Sequence, residues 1–375
     1  MEFSKIKDID RKLTILIAPL DWGLGHATRC IPIIKELFSL ELNVLIAAEG
    51  KIKKLLQNEF PKASFVDLKG YNITYSKKKT WFLLSIFLQI PKIISVIIKE
   101  HFWLKKVLQK YSIDAVISDN RLGLYAKTIP SVYITHQLQV KTNNVLGDKL
   151  AKKMHTWFIK KYTICWVPDF SGAYSLAGAL SQSKKTSFRI EYIGCLSRFE
   201  KNKDPEKKYD LLVQLSGPEP QRRIFENILL QQLKEYQGTA LLVRGLPDIT
   251  DKEEQHFSEL QISNPTVLIK NHLPSDELNK AIESAAIVIC RSGYTSVMDL
   301  VKLQQKAILV PTPGQAEQEY LATRLAEQKI FYSAEQTNFS LKEALQNAKA
   351  FPFQFPINDT EQYRQFVYQF VQSLL

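Results

Sequence analysis

Short β-rich runs alternate with helix-spaced segments along this chain, and that alternation constrains the fold more than any other feature. Leu13–Ala18 (LTILIA) is an apolar run that stops at Pro19. A glycine-containing turn follows, then apolar residues at helical spacing from Cys30 to Leu40. Further strands are expected at Asn43–Ala47, Ala63–Asp67, Ala115–Ser118 and Val132–Thr135, with a helix near Lys51–Phe60. Strands that alternate with helices in this way build parallel sheets covered on both faces. A second series, with strands at Leu211–Leu215, Ala240–Val243, Thr266–Ile269, Ile287–Cys290 and Ala307–Val310, repeats the architecture without repeating the sequence. Between the two lies Arg198–Lys208 (RFEKNKDPEKK), a charged stretch with one proline that reads as a linker.

A length of 375 residues also favours two domains over one. The expected organisation is a Rossmann-like domain over 1–197, the linker 198–208, a second Rossmann-like domain over 209–350, and a segment 351–375. In that last segment Tyr363, Phe366, Val367, Phe370, Val371, Leu374 and Leu375 fall at helical spacing. Such a stripe must bury itself, and a return to the first domain is expected. Asn358 with Glu361 has capping-box spacing at its start.

The formal net charge is +12, which suggests anionic company: nucleic acid, a diphosphate-bearing substrate or an acidic membrane surface. A nucleic-acid binder would interleave aromatic with basic residues on one surface, whereas here the aromatics sit in apolar runs, so no nucleic-acid partner is expected. The cysteines, Cys30, Cys165, Cys195 and Cys290, lie far apart with no CxxC pair, which fits buried thiols in a reducing compartment. The charged first dozen residues do not resemble a secretory signal, and a cytoplasmic location is expected.

Trp81–Ile98 is strongly apolar but interrupted by Gln89, Pro91 and Lys92, too short a run to span a bilayer. Lys77, Lys78 and Lys79 precede it, and Lys99, Lys105, Lys106 and Lys110 follow. Two readings stand side by side: a pair of helices covering the first sheet, or a face that docks on anionic lipid at the inner side of the cytoplasmic membrane.

In open α/β sheets, ligands bind at the carboxyl ends of strands, where helix N-termini offer N–H groups and a positive dipole end. The first loop of this kind holds Gly23, Leu24, Gly25 and His26. Its glycines allow close backbone approach, but Thr28 breaks a dinucleotide fingerprint. His26 could be a general base for an acceptor hydroxyl or a cap on its own helix. A second stretch, Ile287–Leu325, carries Arg291-Ser292-Gly293 at a strand end, with a helix starting near Tyr294-Thr295. Ser292, Gly293 and Thr295 supply donors for a diphosphate, and Asp299, four residues on from Thr295, can accept from two ribose hydroxyls. After the next strand come Gln315, Glu317, Gln318 and Glu319, suited to sugar hydroxyls.

In order and spacing, the Arg-Ser-Gly turn, the acid six positions after its glycine and the Gln-Glu pair beyond a Val-Pro strand end resemble a known family. It is that of the membrane-associated N-acetylglucosaminyltransferases of peptidoglycan lipid synthesis and their two-Rossmann (GT-B) relatives. The resemblance implies an α/β fold of two Rossmann-like domains with parallel sheets facing a central cleft. It places Ser292 and Gly293 at the diphosphate, Asp299 at the ribose, and Gln318 and Glu319 at the donor sugar. It also makes the Gly23–His26 loop the acceptor-side loop with His26 as base, sets Asp119 to orient that histidine (an Asn/Asp turn being the other reading), and puts His136 near the acceptor. Leu273-Pro274-Ser275 corresponds to the loop that contacts the nucleotide base through backbone atoms. Ser216 and Gly217 replace a richer glycine loop, followed by Pro218 and Pro220, which have no N–H to donate. Arg222 or Arg223 could compensate at the phosphates or form a solvated surface pair. Arg244 is also assigned to the donor side.

The activity implied is transfer, with inversion, of a hexose or N-acetylhexosamine from a nucleoside-diphosphate sugar, UDP-linked by the resemblance. The acceptor is a hydroxyl that could be lipid-linked. No permanent cofactor or metal is expected: the Asp8-Ile9-Asp10 string precedes the first strand and reads as surface. A nucleotide-sugar 2-epimerase of the same fold is the alternative, but it needs several acidic groups at strand ends, and the first half offers few.

Overall fold

The computed structural model describes residues 11–71, 82–139, 145–183, 186–246, 264, 266–356 and 359–375. Asp8-Ile9-Asp10, Lys77–Lys79, Trp81 and Asn358 lie outside the described residues. The chain divides into two compact units, Met1–Arg198 with Asn358–Leu375, and Phe199–Ile357.

In the first unit, β1 (Thr14–Pro19), α1 (Leu24–Ser39), β2 (Asn43–Ala47), α2 (Gly50–Glu59), β3 (Ser64–Val66), α3 (Phe82–Lys110), β4 (Ala115–Asp119), β5 (Ser131–Ile134), α4 (Val145–Ile159), β6 (Ile164–Val167) and β7 (Ile190–Tyr192) follow in order. All pairings are parallel, in the spatial order β3-β2-β1-β4-β5-β6-β7. Ile15, Leu16, Ile17 and Ala18 are fully buried, as expected of a central strand covered on both faces.

The second unit holds β8 (Tyr209–Gln214), α5 (Gln221–Leu233), β9 (Ala240–Val243), β10 (Val267–Lys270), α6 (Ser275–Glu283), β11 (Ala285–Cys290), α7 (Tyr294–Leu303), β12 (Ala307–Leu309), α8 (Ala316–Glu327), β13 (Tyr332–Ser333) and α9 (Leu341–Ala350). Its sheet, also parallel, runs β10-β9-β8-β11-β12-β13. Edge strand β10 alternates in burial and leaves Leu268 46% exposed, while central β8 buries Leu211, Leu212 and Val213 completely. Each unit is a parallel-sheet, Rossmann-like α/β domain.

Some details differ from the sequence reading. The apolar segment forms one helix, α3, with Pro91 inside it, not a pair. The charged stretch is held along the second unit. Phe199 is buried, Lys207 Nζ donates to the carbonyls of Glu283 and Ala285, and Asn202 bonds the Glu283 carboxylate. The last helix, α10 (Tyr363–Gln372), begins where the apolar pattern does and later than the Asn358–Glu361 spacing suggests, after Asp359 accepts from the Glu361 N–H in a local turn. Phe370 of α10 packs edge-on against Trp166, and Gln362 donates to the Tyr192 carbonyl, both within the first unit. All four cysteines are buried and reduced.

Candidate active site

Each sheet has one point where connections leave in opposite directions, and there the carboxyl ends of two neighbouring strands open a crevice. In the first unit these strands are β1 and β4, whose last residues, Pro19 and Asp119, are paired in register. The chain leaves β1 through Gly23, whose φ of +87° a side chain would strain. No side chain caps α1, and no acidic residue stands in its first turn. His26, third in that helix, does not cap it. Its Nδ1 lies 2.9 Å from Asp119 Oδ2 and 2.8 Å from Arg29 Nη2.

Asp119 is fully buried. Arg29 holds it as a fork, Nε at 2.9 Å from Oδ1 and Nη2 also on Oδ1. Burial alone would raise the Asp119 pKa, but Arg29 and His26 outweigh it and the carboxyl titrates below its ordinary range. His26 is also held below the ordinary imidazole value, first by burial and then by the Arg29 charge, with Asp119 pulling the other way. The turn expected of the Asp-Asn pair belongs to Asn120, which adopts φ +55° and accepts from the Tyr133 hydroxyl at 3.2 Å. His136, just past β5, is buried with Nδ1 3.2 Å from Arg29 Nη1. His26, Asp119 and His136 are therefore brought together, around an arginine the sequence reading did not single out. Its signal was available: His26 and Arg29 are three apart on one helix face.

A second layer supports the loop. Buried Arg121 donates to the Pro19 carbonyl at 2.8 Å and to Glu100 Oε1 at 2.9 Å. Glu100 also accepts from the Tyr71 hydroxyl, and the Tyr71 N–H donates to Asp21 within the loop. Trp22, 41% exposed, rests edge-on against Tyr71.

In the second unit β8 and β11 form the corresponding point, Gln214 paired with Cys290. Ser216 and Gly217 follow β8, with Gly217 at φ +101°. Neighbouring Gly245 approaches so closely that a Cβ would meet the Leu215 carbonyl oxygen at 2.4 Å. Arg222 is buried against Glu219 and Glu226, so it forms no solvated surface pair. Arg244, also buried, bonds Glu226 and donates to Asn271 Oδ1 at 2.8 Å. Arg291 is 1% exposed. It donates to the carbonyls of Val310 and Gln221 and to Gln336 Oε1, and lies over the Phe225 ring, where burial lowers its pKa to about 10.

Ser292 Oγ donates to the Gln318 carbonyl at 2.8 Å, tying the loop after β11 to α8. Gly293 caps α7 without a side chain, and that helix has no acidic residue in its first turn. Thr295 stands in that turn, and Asp299, buried, one turn on. Gln318 Oε1 accepts from the Thr312 N–H and Glu319 Oε1 from the Gly314 N–H, so both side chains brace the loop after β12. Leu273 is buried just before α6, beyond β10 at the sheet edge.

Residues 237–373 match the family model described as the glycosyltransferase family 28 C-terminal domain. An uncharacterized glycosyltransferase of Methanosarcina acetivorans is 25% identical over 345 residues, 84% of each chain. Among solved structures, the glycotransferase of kitacinnamycin gives a TM-score of 0.62 at 14% identity, covering 97% of this chain and 96% of that one. Acinetobacter baumannii MurG gives 0.52 at 14% identity over 97% and 100%. The glycosyltransferase VinC, in complex with dTDP, gives 0.59 at 12% identity over 96% and 95%. At these identities the structural likeness is one of fold.

Proposed function

We propose that this chain, a glycosyltransferase whose residues 237–373 match the family 28 C-terminal domain, moves a hexose or N-acetylhexosamine, with inversion, from a UDP-sugar to an acceptor hydroxyl. The observation that carries the reading is the imidazole–carboxylate pair at the first switch point, His26 Nδ1 to Asp119 Oδ2 at 2.9 Å. With Nδ1–H donated to Asp119, Nε2 keeps a lone pair for the acceptor's proton. The acceptor oxygen then bonds the anomeric carbon as the bond from that carbon to the diphosphate oxygen breaks, and the nucleoside diphosphate leaves with the electron pair.

The second unit holds the donor in this proposal. The start of α7 at Gly293 to Thr295 faces the diphosphate with amides and a positive dipole end, and Asp299 accepts from the ribose. Donor chemistry is supported by fold neighbours crystallised with dTDP and, in Phytolacca americana UGT2, with UDP-2-fluoro-glucose. The fit of Ser216, Gly217, Arg244 and Leu273 to the donor is more local: loop backbone for the first two and the last, and a buried brace for Arg244.

The acceptor is proposed to be presented at a membrane. Helix α3 buries Ile97, Glu100, Leu104 and Val107 on one face and exposes Ile94, Ile98 and Phe102 on another. On α4, Met154 and Trp157 are exposed as well, and Lys92, Lys99, Lys105, Lys106, Lys152 and Lys153 stand exposed on the same two helices. Among the described residues no helix is long and apolar enough to cross a membrane. An apolar stripe with basic neighbours fits an anionic lipid surface. Co-flotation with phosphatidylglycerol vesicles but not phosphatidylcholine ones is expected, and equal recovery with both would remove the electrostatic part.

The deciding assay is UDP release from UDP-N-acetylglucosamine and UDP-glucose, each with and without a membrane-lipid extract as acceptor. Release that depends on the extract supports transfer. Conversion of the UDP-sugar to an isomer with no acceptor would instead identify an epimerase.

A further inference from the structure

We propose that Arg29 is a positioning residue: its single guanidinium locks Asp119 and assigns different roles to the two histidines, leaving His26 as the proton acceptor and His136 as a hydrogen-bond donor. The inference rests on the transferase reading above and deepens it. It starts from a guanidinium 2% exposed that reaches three partners at once.

An arginine can only donate, and it stays charged at any pH the protein meets. His136 Nδ1, 3.2 Å from Arg29 Nη1, must therefore offer its lone pair. Its ring proton then sits on Nε2, and a proton on Nδ1 would set N–H against N–H. His136 is a donor through Nε2 and cannot take a proton there.

His26 is placed differently, because its Nδ1 meets both Arg29 Nη2 at 2.8 Å and Asp119 Oδ2 at 2.9 Å. Arg29 commits Nε and Nη2 to the Asp119 fork, which fixes the carboxylate beside the imidazole as an ionised acceptor. At His26 Nδ1 the guanidinium and the carboxylate compete, unlike at His136 Nδ1, where the guanidinium has no such rival; Arg29 Nη2 already donates to Asp119 Oδ1, so the carboxylate decides, drawing the proton to Nδ1 and freeing Nε2. A second proton on His26 would place an imidazolium against the guanidinium, so the same arginine disfavours the charged ring at rest. Within the first unit the charged or titratable groups facing His26 are Arg29 from its own helix, Asp119 from β4 and His136 from beyond β5. Burial and Arg29 both hold its titration below the ordinary value, in agreement with this arrangement.

The test uses the full chain with ¹⁵N-labelled histidine and two-bond ¹H–¹⁵N correlation spectra from pH 5 to 8.5, assigned with His26→Gln and His136→Gln. At pH 7 the wild type should show His136 protonated on Nε2 alone and His26 neutral with its proton on Nδ1. The His26 midpoint should lie below about 6.5. In Arg29→Gln that midpoint should move upward, since the repelling charge is gone while Asp119 remains, and the acid limb of the pH–rate profile should move up with it. A role in stability alone would lower the Tm and leave the midpoint in place. His136 protonated on Nδ1 in the wild type, or an unmoved His26 midpoint in folded Arg29→Gln, overturns the assignment. If Arg29→Gln does not fold, the wild-type spectrum still decides. Failure of the transferase reading shows elsewhere, as undiminished UDP release in His26→Ala, and these spectra do not depend on turnover.

Discussion

The two switch points share one topology and are furnished in opposite ways. At the first, polar side chains fill the crevice: Arg29, Asp119 and His136 are all buried, and they converge on a ring that is partly exposed. At the second, the polar side chains are spent on the scaffold. Arg291 stitches three segments together, Ser292 ties a loop to α8, and Gln318 and Glu319 brace the turn after β12. In the proposed reading the donor is met there by the backbone at the start of α7, which has no acidic residue in its first turn, with Asp299 behind it. The proposal gives the first crevice the proton to move and the second the anion to hold. The same fold provides both because the sheet fixes only where the loops end, not what they carry.

That contrast can be broken by substitution. The largest effect is expected at the first point: His26→Ala should lower transfer by about 10²–10⁴-fold in turnover while UDP affinity, read by calorimetry, stays near the wild-type value. A variant that loses nucleotide binding in parallel would mean the first crevice also holds the donor.

Asp299→Ala should do the reverse. Loss of a charged acceptor for ribose hydroxyls should weaken UDP binding by about 1.5–3 kcal/mol in the same calorimetric assay. Unchanged affinity would take Asp299 out of the donor site.

The smallest effect separates scaffold from site within the second unit. Gln318→Ala leaves the Thr312 N–H without its acceptor and should cost about 1 kcal/mol of stability, visible as a lower Tm by calorimetry. An unchanged Tm with a raised donor KM would move Gln318 from brace to ligand contact.

Much of the fold could be read from the sequence because central strands of a parallel sheet are buried on both faces and leave nearly continuous apolar runs. Leu13–Ala18 and Leu211–Leu215 stand out for that reason. β6, β7 and β13 were not anticipated: β7 and β13 are edge or near-edge pieces of three and two residues, whose pattern is too short to show. The kind of helix formed by the apolar segment was equally hidden, since periodicity does not say whether Pro91 ends a helix or sits within one.

At the site, the sequence by itself determined which loops lie at strand ends, those of His26 and of Arg291–Thr295 among them, while Asp119 entered only through the family resemblance. Only the tertiary structure decided which side chains face one another. Asp119 is 93 positions from His26 and His136 is 107 from Arg29, and no local pattern links residues so far apart. The parallel register of β1 with β4, and of β4 with β5, carries those residues to the same edge of the sheet. It also decided that Arg291 turns inward over Phe225, because a strand-end arginine looks the same in sequence whether it meets a phosphate or a ring of carbonyls.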